Sequence, residues 1–139
     1  MEHDYKIELS KRRLEIAHER LTTAKAMLEL GDYKASANRL YYAIFSAMRA
    51  VLALDGFDSK KHSGIIARFR QSYIKTGILD TEMSKIIDDL EVIREDSDYD
   101  DFYIILKEGI RAAISSRDFG LRHSILSAIF AISSVATAS

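Results

Sequence analysis

Polar side chains lie along one side of a strongly apolar segment in the first half of the chain. In a helix, which turns about 100° per residue, Asn38, Arg39 and Tyr42 would share one face, continued by Ser46 and Arg49. The apolar residues collect on the opposite face: Ala37, Leu40, Tyr41, Ile44, Phe45, Met48, Val51 and Leu52. Small residues lie between the polar side chains, at Ala43, Ala50 and Ala53. Because small residues let a second surface come close, this face is suited to line a polar groove.

A structural role would explain the same polar residues. Asn38 would then satisfy a backbone carbonyl of a neighbouring helix, and Tyr42 would pack with its hydroxyl group in water. Arg39 and Arg49 would pair with carboxylates. The alternative is a binding role, in which Asn38 and Tyr42 line a polar groove together with Arg94 from a later helix. This role requires the two helices to be neighbours.

A second candidate site lies at the expected start of the third helix, at Lys61 and His62. Exposed backbone N–H groups at a helix start, together with a cation, can hold an anion. In the alternative, Ser63 or His62 caps the helix, and Gly64 allows a tight packing contact. Both alternatives are compatible with the sequence.

Composition limits the chemistry that the chain can use. The 139 residues, 47% hydrophobic and 29% charged, are typical of a single globular domain over residues 1–139. The absence of cysteine excludes disulfides, thiolate zinc sites and cysteine nucleophiles. Histidines and carboxylates lack metal-ligand spacing, and phosphate-loop and dinucleotide motifs are absent, so we expect neither a metal nor a cofactor. Charged residues interrupt the amino terminus, so we expect no signal peptide and a cytoplasmic protein.

The spacing of apolar residues predicts an all-α fold, since they recur every three or four positions and the chain has no proline and six glycines. We predict an up-and-down antiparallel bundle of four to six helices. The first four would span about Asp4–Leu30, Asp32–Leu54, His62–Lys75 and a segment from Asp80 or Thr81 into the acidic run at 95–101. One long or two shorter helices would follow from Phe102. The first helix has a seam spaced by seven, at Ile7, Leu14, Leu21 and Leu28, with Ala17 and Ala24 between these residues.

Charge is distributed unevenly, although the net charge is −1. The segment 59–79 contains five lysines and arginines and no acid, whereas 80–101 holds ten acids against two cations. Lys61, Arg68 and Lys75 are spaced by seven and would share a helix face that can meet phosphates. In the alternative, the cations of the third helix pair with the acids of the fourth.

The last sixteen residues, from Ser124 to Ser139, carry no charge. We expect this segment to be buried in the bundle or against a second subunit. An extensive dimer interface or an altered reading frame at the end of the gene would each explain it. A membrane span needs roughly 18 to 20 apolar residues, and this segment is shorter and diluted by serines, so we expect no membrane association.

Four short runs occur in order along the chain: Asn38–Phe45, Lys61–Gly64, Ile74–Gly77 and Arg94–Asp101. Together they resemble the HEPN domain family of prokaryotes, over about 8–103. The resemblance implies a helical bundle that is commonly a homodimer and is often encoded beside a small nucleotidyltransferase. Members of the family include ribonuclease toxins of toxin-antitoxin pairs and proteins without demonstrated catalysis.

The ribonuclease signature of that family is an arginine followed a few residues later by a histidine. Arginine can neutralise a scissile phosphate, and histidine can move a proton to or from the 2′ hydroxyl near neutral pH. Arg94 matches the arginine, but Tyr99, preceded by Asp98, stands where the histidine is expected. Tyrosine, with an unperturbed pKa of about 10, is a poor base at neutral pH. Arg94 and Tyr99 are the catalytic candidates; alternatively they bind a phosphate and stack on a base, with Asp98 as a further binding residue.

A literal copy of the signature occurs later, at Arg117 and His123, with five residues between them. Within one helix a separation of six places the side chains about 240° apart, which is a poor geometry for shared work in one chain. Gly120 could bend the backbone between them, and a dimer could bring one residue from each chain together. In the alternative, both are surface residues near a helix break.

The sequence therefore predicts a HEPN-type protein that binds nucleotide or RNA. It would be the toxin of a pair with a nucleotidyltransferase antitoxin. Metal-independent ribonuclease activity stays open, because Tyr99 replaces the expected histidine. The alternative function is a noncatalytic helical module for dimerisation or protein interaction.

Overall fold

Four α-helices and one π-helical segment make up the part of the chain that the structure describes. The computed structural model describes residues 2–79 and 81–95. Helix α1 spans His3–Glu29, α2 spans Tyr33–Leu54, α3 spans His62–Phe69 and α4 spans Glu82–Glu95, and a π-helical segment, Arg70–Ile74, continues α3. These residues contain no strand, which confirms the predicted all-α class. None of the helices in these two ranges combines the length and the apolar character that crossing a membrane requires.

The turn between α1 and α2 follows from two residues. Gly31 has a φ of 81°, a left-handed conformation that glycine adopts without steric cost. It lets the N–H groups of Gly31 and Asp32 donate to the carbonyls of Leu28 and Met27, at 3.0 and 2.9 Å. The Asp32 side chain accepts a hydrogen bond from the Ala35 amide at 3.1 Å and so caps the amino-terminal end of α2.

Small side chains let α1 and α2 pack closely as an antiparallel pair. Ala17 and Ala24 of α1 have no exposed surface, whereas Leu14 and Leu28 are only partly buried against the core. The Ser36 hydroxyl of α2 donates to the Ala24 carbonyl at 2.8 Å, inside the contact. The predicted seam of α1 is therefore confirmed at Ala17, Leu21 and Ala24, whereas Ile7, Leu14 and Leu28 are only partly buried.

Helix α2 is central, since it contacts α1, α3 and α4. Every residue of its predicted apolar face is buried. The largest fully buried side chains of this face are those of Leu40, Ile44, Met48, Val51 and Leu52. Burying a side chain of this size stabilises the fold by about 1.5–3 kcal/mol, so this face fixes where the polar residues of α2 lie.

Two contacts fix the direction of α3. His62, its first residue, lies against Phe45 in the middle of α2. Tyr73, in the π-helical segment, donates from its hydroxyl group to the Asp55 carboxylate at 2.6 Å, just beyond the end of α2. The loop 55–61 therefore returns along α2, and α3 follows α2 in the same direction.

Helix α4 folds back against the π-helical segment. The Arg70 guanidinium donates to the Ser84 carbonyl at 3.2 Å and pairs with the Asp88 carboxylate. Helix α4 also contacts α2. In α4, Met83 and Ile87 are buried. The predicted helices from residue 102 and the uncharged segment 124–139 lie outside the described residues.

Candidate functional site

The first residue of α3 contacts three aromatic rings of α2. The His62 ring stacks on Phe45, with centroids 4.1 Å apart and planes 27° from parallel. The Tyr42 ring meets it edge-on at 6.0 Å, and the Tyr41 ring is stacked at 6.1 Å. Aromatic pairs at these distances favour stacked and edge-to-face geometries. The structure thus brings together two predicted binding residues, Tyr42 and His62.

A hydrogen bond also fixes the orientation of the His62 ring. Its Nδ1 lies 3.3 Å from the hydroxyl oxygen of Tyr41, and the tautomer of the imidazole decides which group donates. Tyr41 is 3% exposed and cannot follow a displaced histidine. An imidazole held on one face and at one nitrogen is well ordered for hydrogen bonding to a phosphate or a base.

The predicted capping role of Ser63 or His62 is wrong. The residue before the helix is Lys61, in extended conformation, and no side chain caps α3. Instead the Ser59 hydroxyl accepts a hydrogen bond from the Lys61 amide at 3.2 Å. A Cβ atom on Gly64 would lie 2.7 Å from the same hydroxyl oxygen. The predicted tight packing contact at Gly64 is confirmed, and it holds the loop 55–61 against the start of α3.

A second contact, between two arginines and Asp58, holds this loop. Arg13 of α1 donates to Asp58 at 3.0 Å and to the Arg49 carbonyl at 3.2 Å, and Arg49 donates to both Asp58 carboxylate oxygens, at 2.9 and 3.2 Å. Burial raises the pKa of Asp58, but hydrogen bonds from Arg49, Arg13 and the Ser59 amide outweigh it and hold the pKa below 3.8. The interpretation that Arg49 pairs with a carboxylate is confirmed.

We call Arg13, Arg49 and Asp58 the Arg13 clamp. The sequence does not predict this group of contacts. Arg13 occupies a buried position of the α1 seam, between Ser10 and Ala17, where a charged residue needs a partner. A charged residue at a buried seam position is the one feature of the sequence that indicates such a contact. It does not identify the partner as Asp58, which is 45 residues away.

The polar face of α2 is half-buried. This state is shared by all five of its residues, Asn38, Arg39, Tyr42, Ser46 and Arg49. Ala43, Ala50 and Ala53 were expected to let a second surface come close, and each has no exposed surface. Neighbouring elements already come close to this face at the alanines and cover them. A ligand would therefore contact the longer polar side chains of this face.

The basic segment 59–79 divides into paired and exposed cations. Arg70 pairs with Asp88, as expected if α3 and α4 neutralise each other. The Arg68 guanidinium lies over the Phe57 ring, 4.9 Å from its centroid. Lys61 is exposed but precedes α3, and the π-helical segment intervenes before Lys75. The seven-residue spacing of Lys61, Arg68 and Lys75 therefore does not define a single helix face, which corrects that prediction.

The catalytic candidates lie at or beyond the end of the described residues. Helices α2 and α4 are neighbours, as the binding role of Asn38 and Tyr42 with Arg94 requires. Arg94 lies in the last turn of α4, whose backbone alone is described there. Four further candidates lie outside the described residues and stay predictions: Asp98, Tyr99, Arg117 and His123. Among described side chains, no group of three or more histidines and carboxylates could hold a metal ion.

Sequence comparisons find relatives over most of the chain. The HEPN domain family matches residues 10–118. "Putative toxin MJ0142" of Methanocaldococcus jannaschii is 34% identical over 108 residues, which cover 78% of this chain and 73% of that protein. A "UPF0332 protein" of Thermotoga maritima is 32% identical over 95 residues, 68% of this chain and 72% of that protein. No solved structure matches significantly. The chain therefore belongs to the HEPN domain family.

Proposed function

We propose that this protein binds a nucleotide or an RNA strand where the polar face of α2 meets the start of α3. The observation that carries the proposal is the placement of His62, stacked on Phe45 and edge-on to Tyr42. The amino-terminal end of a helix attracts anions, and the exposed Lys60 and Lys61 add positive charge beside it. Cations and an aromatic ring in one place suit a ligand with both phosphate and base.

Each side chain has a distinct role in this proposal. His62 and Lys61 bind a phosphate, the first by a hydrogen bond and the second by charge. The ring of Tyr42 supports a base, and the Asn38 amide can both donate to and accept from a base edge. Arg94, in the last turn of α4, is a further phosphate ligand in this proposal. Tyr99 and Asp98 are assigned to the same ligand.

The biological role that fits this binding is that of a toxin in a toxin-antitoxin pair. Two relatives carry the word toxin in their names, the second being "Putative toxin MJ0605" of the same archaeon, 34% identical over 86 residues. The antitoxin in this proposal is a nucleotidyltransferase encoded by the adjacent gene, and the active form is a homodimer in the cytoplasm. Co-purification of the two gene products from a common operon tests the pairing.

Binding rather than cleavage is the activity that the residues support best. Tyr99 replaces the histidine that would move a proton, and histidine is the only side chain whose ordinary pKa is suited to that task near neutral pH. Incubation of RNA with the protein in EDTA, with and without Arg94→Ala, tests this. We expect the same RNA pattern from both proteins, whereas cleavage lost on substitution would establish a metal-independent ribonuclease.

Fluorescence anisotropy with a labelled 12-nucleotide single-stranded RNA tests the binding site. We expect Tyr42→Ala to raise the Kd at least about fivefold, because loss of one stacking contact costs about 1–3 kcal/mol. Tyr5→Ala is the matched control, since Tyr5 is a 59% exposed tyrosine of α1, remote from His62 along the chain. Equal Kd values for the two variants would overturn the assignment of Tyr42, and absence of RNA and nucleotide binding by the wild-type protein would overturn the function.

A further inference from the structure

Three cations form a row along α1, at Lys6, Arg13 and Arg20, seven residues apart. Residues seven apart lie on nearly the same side of a helix. The first two face the loop 55–61: Lys6 Nζ would lie 3.3 Å from a Cβ atom on Gly56, and Arg13 is bound to Asp58. The row therefore faces the side of the molecule where the loop returns towards α3.

Arg20 has no hydrogen-bond or ion-pair partner among the described side chains, unlike Arg13, Arg49 and Arg70. Its Nε–H is buried and donates to no acceptor, and its terminal nitrogens form no described hydrogen bond or ion pair. Arg49 and Arg70 also have a buried Nε without an acceptor, but their terminal nitrogens bind Asp58 and Asp88. A buried donor without an acceptor costs free energy, and a native structure usually retains one for a reason.

The register of α1 and α2 places Arg20 at the level of Tyr42. Arg13 donates to the Arg49 carbonyl, which fixes the two residues as neighbours across the antiparallel pair. Seven residues further along α1 is Arg20, and seven residues back along α2 is Tyr42. The two helices are antiparallel, so a step of seven residues along each, in opposite chain directions, leads to another pair of neighbouring positions. Arg20 and Tyr42 are therefore neighbours across the two helices, as Arg13 and Arg49 are.

Arg39 adds a second cation at this level. It lies three residues before Tyr42, on the polar face of α2, and is half-buried. No carboxylate among the described side chains lies within ion-pair distance of it. An anion bound between two such half-buried arginines would provide the counter-charge that neither has among the described side chains.

We propose that Arg20 and Arg39 form a phosphate-binding subsite on the α1 side of Tyr42, opposite His62. This inference rests on the proposed function and extends it, because phosphates would then be bound on both sides of the Tyr42 ring. Guanidinium groups bind phosphate oxygens through paired N–H donors, and partial burial strengthens the interaction. The ligand class is a phosphate ester, either consecutive phosphodiesters of single-stranded RNA or the phosphates of one nucleotide.

Charge-neutralising substitutions on α1 test the subsite. Arg20→Gln removes the proposed ligand, and Arg12→Gln is the matched control, because Arg12 is an exposed arginine of the same helix that pairs with Glu15. The probes are a labelled 12-nucleotide oligouridylate, measured by fluorescence anisotropy, and ATP, measured by calorimetry. We expect Arg20→Gln to raise the Kd for the oligouridylate about tenfold and to reduce its salt dependence by about one phosphate contact, with less than about a twofold effect of Arg12→Gln.

Further variants distinguish loss of the phosphate contact from other effects of the Arg20→Gln substitution. Arg39→Gln should weaken binding as Arg20→Gln does, and Arg20→Lys should retain part of the affinity because it keeps the charge. Weaker binding of both probes assigns the subsite to a nucleotide phosphate, and weaker binding of the oligouridylate alone assigns it to an RNA strand. If the wild-type protein binds and Arg20→Gln behaves like Arg12→Gln, the subsite is overturned while the proposed function stands. If the wild-type protein binds neither probe, both fail.

Discussion

His62 stacks on Phe45, 4.1 Å between ring centroids, and thereby joins the first residue of α3 to the middle of α2. The contact places a histidine beside the polar face of α2, although 17 positions separate the two residues in the sequence. Stacking on Phe45 covers one face of the imidazole ring and contributes to the packing of α3 on α2. The ring nitrogens are the part of His62 that we assign to a ligand.

A substitution can separate the stacking of His62 from its ligand contact. His62→Phe keeps an aromatic ring against Phe45 and removes both nitrogens, including the Nδ1 contact with Tyr41. One hydrogen bond contributes about 0.5–1.5 kcal/mol, so we expect a loss of stability of about 1 kcal/mol in urea unfolding. RNA affinity should fall about fivefold or more, whereas replacing the exposed His18 with Phe should change neither quantity. An unchanged RNA affinity in His62→Phe would contradict the proposed role.

Gly64→Ala should destabilise the protein, although alanine is normally the better helix former by about 1 kcal/mol. The added methyl group would lie 2.7 Å from Ser59 Oγ, and moving Ser59 disturbs its hydrogen bond with the Lys61 amide. We expect a net loss of about 1 kcal/mol in thermal or urea unfolding. In a Ser59→Gly background the same change should be neutral or stabilising, and a persistent loss there would show that Ser59 is not the cause.

Asp58→Asn should weaken the Arg13 clamp in a pH-dependent way. Asp58 is 41% exposed, so solvent screens the pairs and the expected loss at pH 7 is only about 1–2 kcal/mol. Because the clamp lowers the pKa of Asp58, its stabilisation is present above pH 3.8 and is lost as the pH falls through the folded-state value. The difference in unfolding free energy between wild type and variant should therefore close in acid. A difference that is constant from pH 7 to pH 2 would contradict this account.

The contribution of Tyr73 to stability should be lost at alkaline pH, whereas that of Asp58 is lost in acid. Burial, followed by the hydrogen bond to Asp55 and the charge of that carboxylate, raises the pKa of Tyr73 above its usual value of 10.0. The protonated form is the one stabilised, so its contribution is complete below pH 10 and is lost as the pH rises further. Tyr73→Phe should cost about 1–2 kcal/mol at pH 7 and lose less stability above pH 10 than the wild type. Tyr5→Phe, at an exposed site, should follow the wild-type profile.

Local signals in the sequence predict most of the described fold. Asp32 and Gly31 mark the turn between α1 and α2 because capping and a left-handed φ depend on neighbouring residues only. The apolar face of α2 follows from its periodicity, since one face of a central helix must be buried. These features need no knowledge of which helix lies against which.

The candidate site is less accessible to sequence reasoning because it depends on contacts between distant residues. Periodicity assigns Ala43, Ala50 and Ala53 to a face but does not tell that other elements cover it. The ring contacts of His62 require the loop 55–61 to return along α2, and the π-helical segment changes the helix register before Lys75. Arg94 was predicted from a family motif, and its contribution to the site stays a prediction.

Photo-crosslinking tests the central claim most directly. The wild-type protein would be irradiated with a 12-nucleotide RNA containing 4-thiouridine, and the cross-linked peptides identified by mass spectrometry. We predict attachment at Tyr42 or His62, competed by unlabelled RNA and diminished in Arg20→Gln. Cross-links confined to peptides without Tyr42, His62 or the loop 55–61 would contradict the assignment of the nucleic-acid site to the junction of α2 and α3.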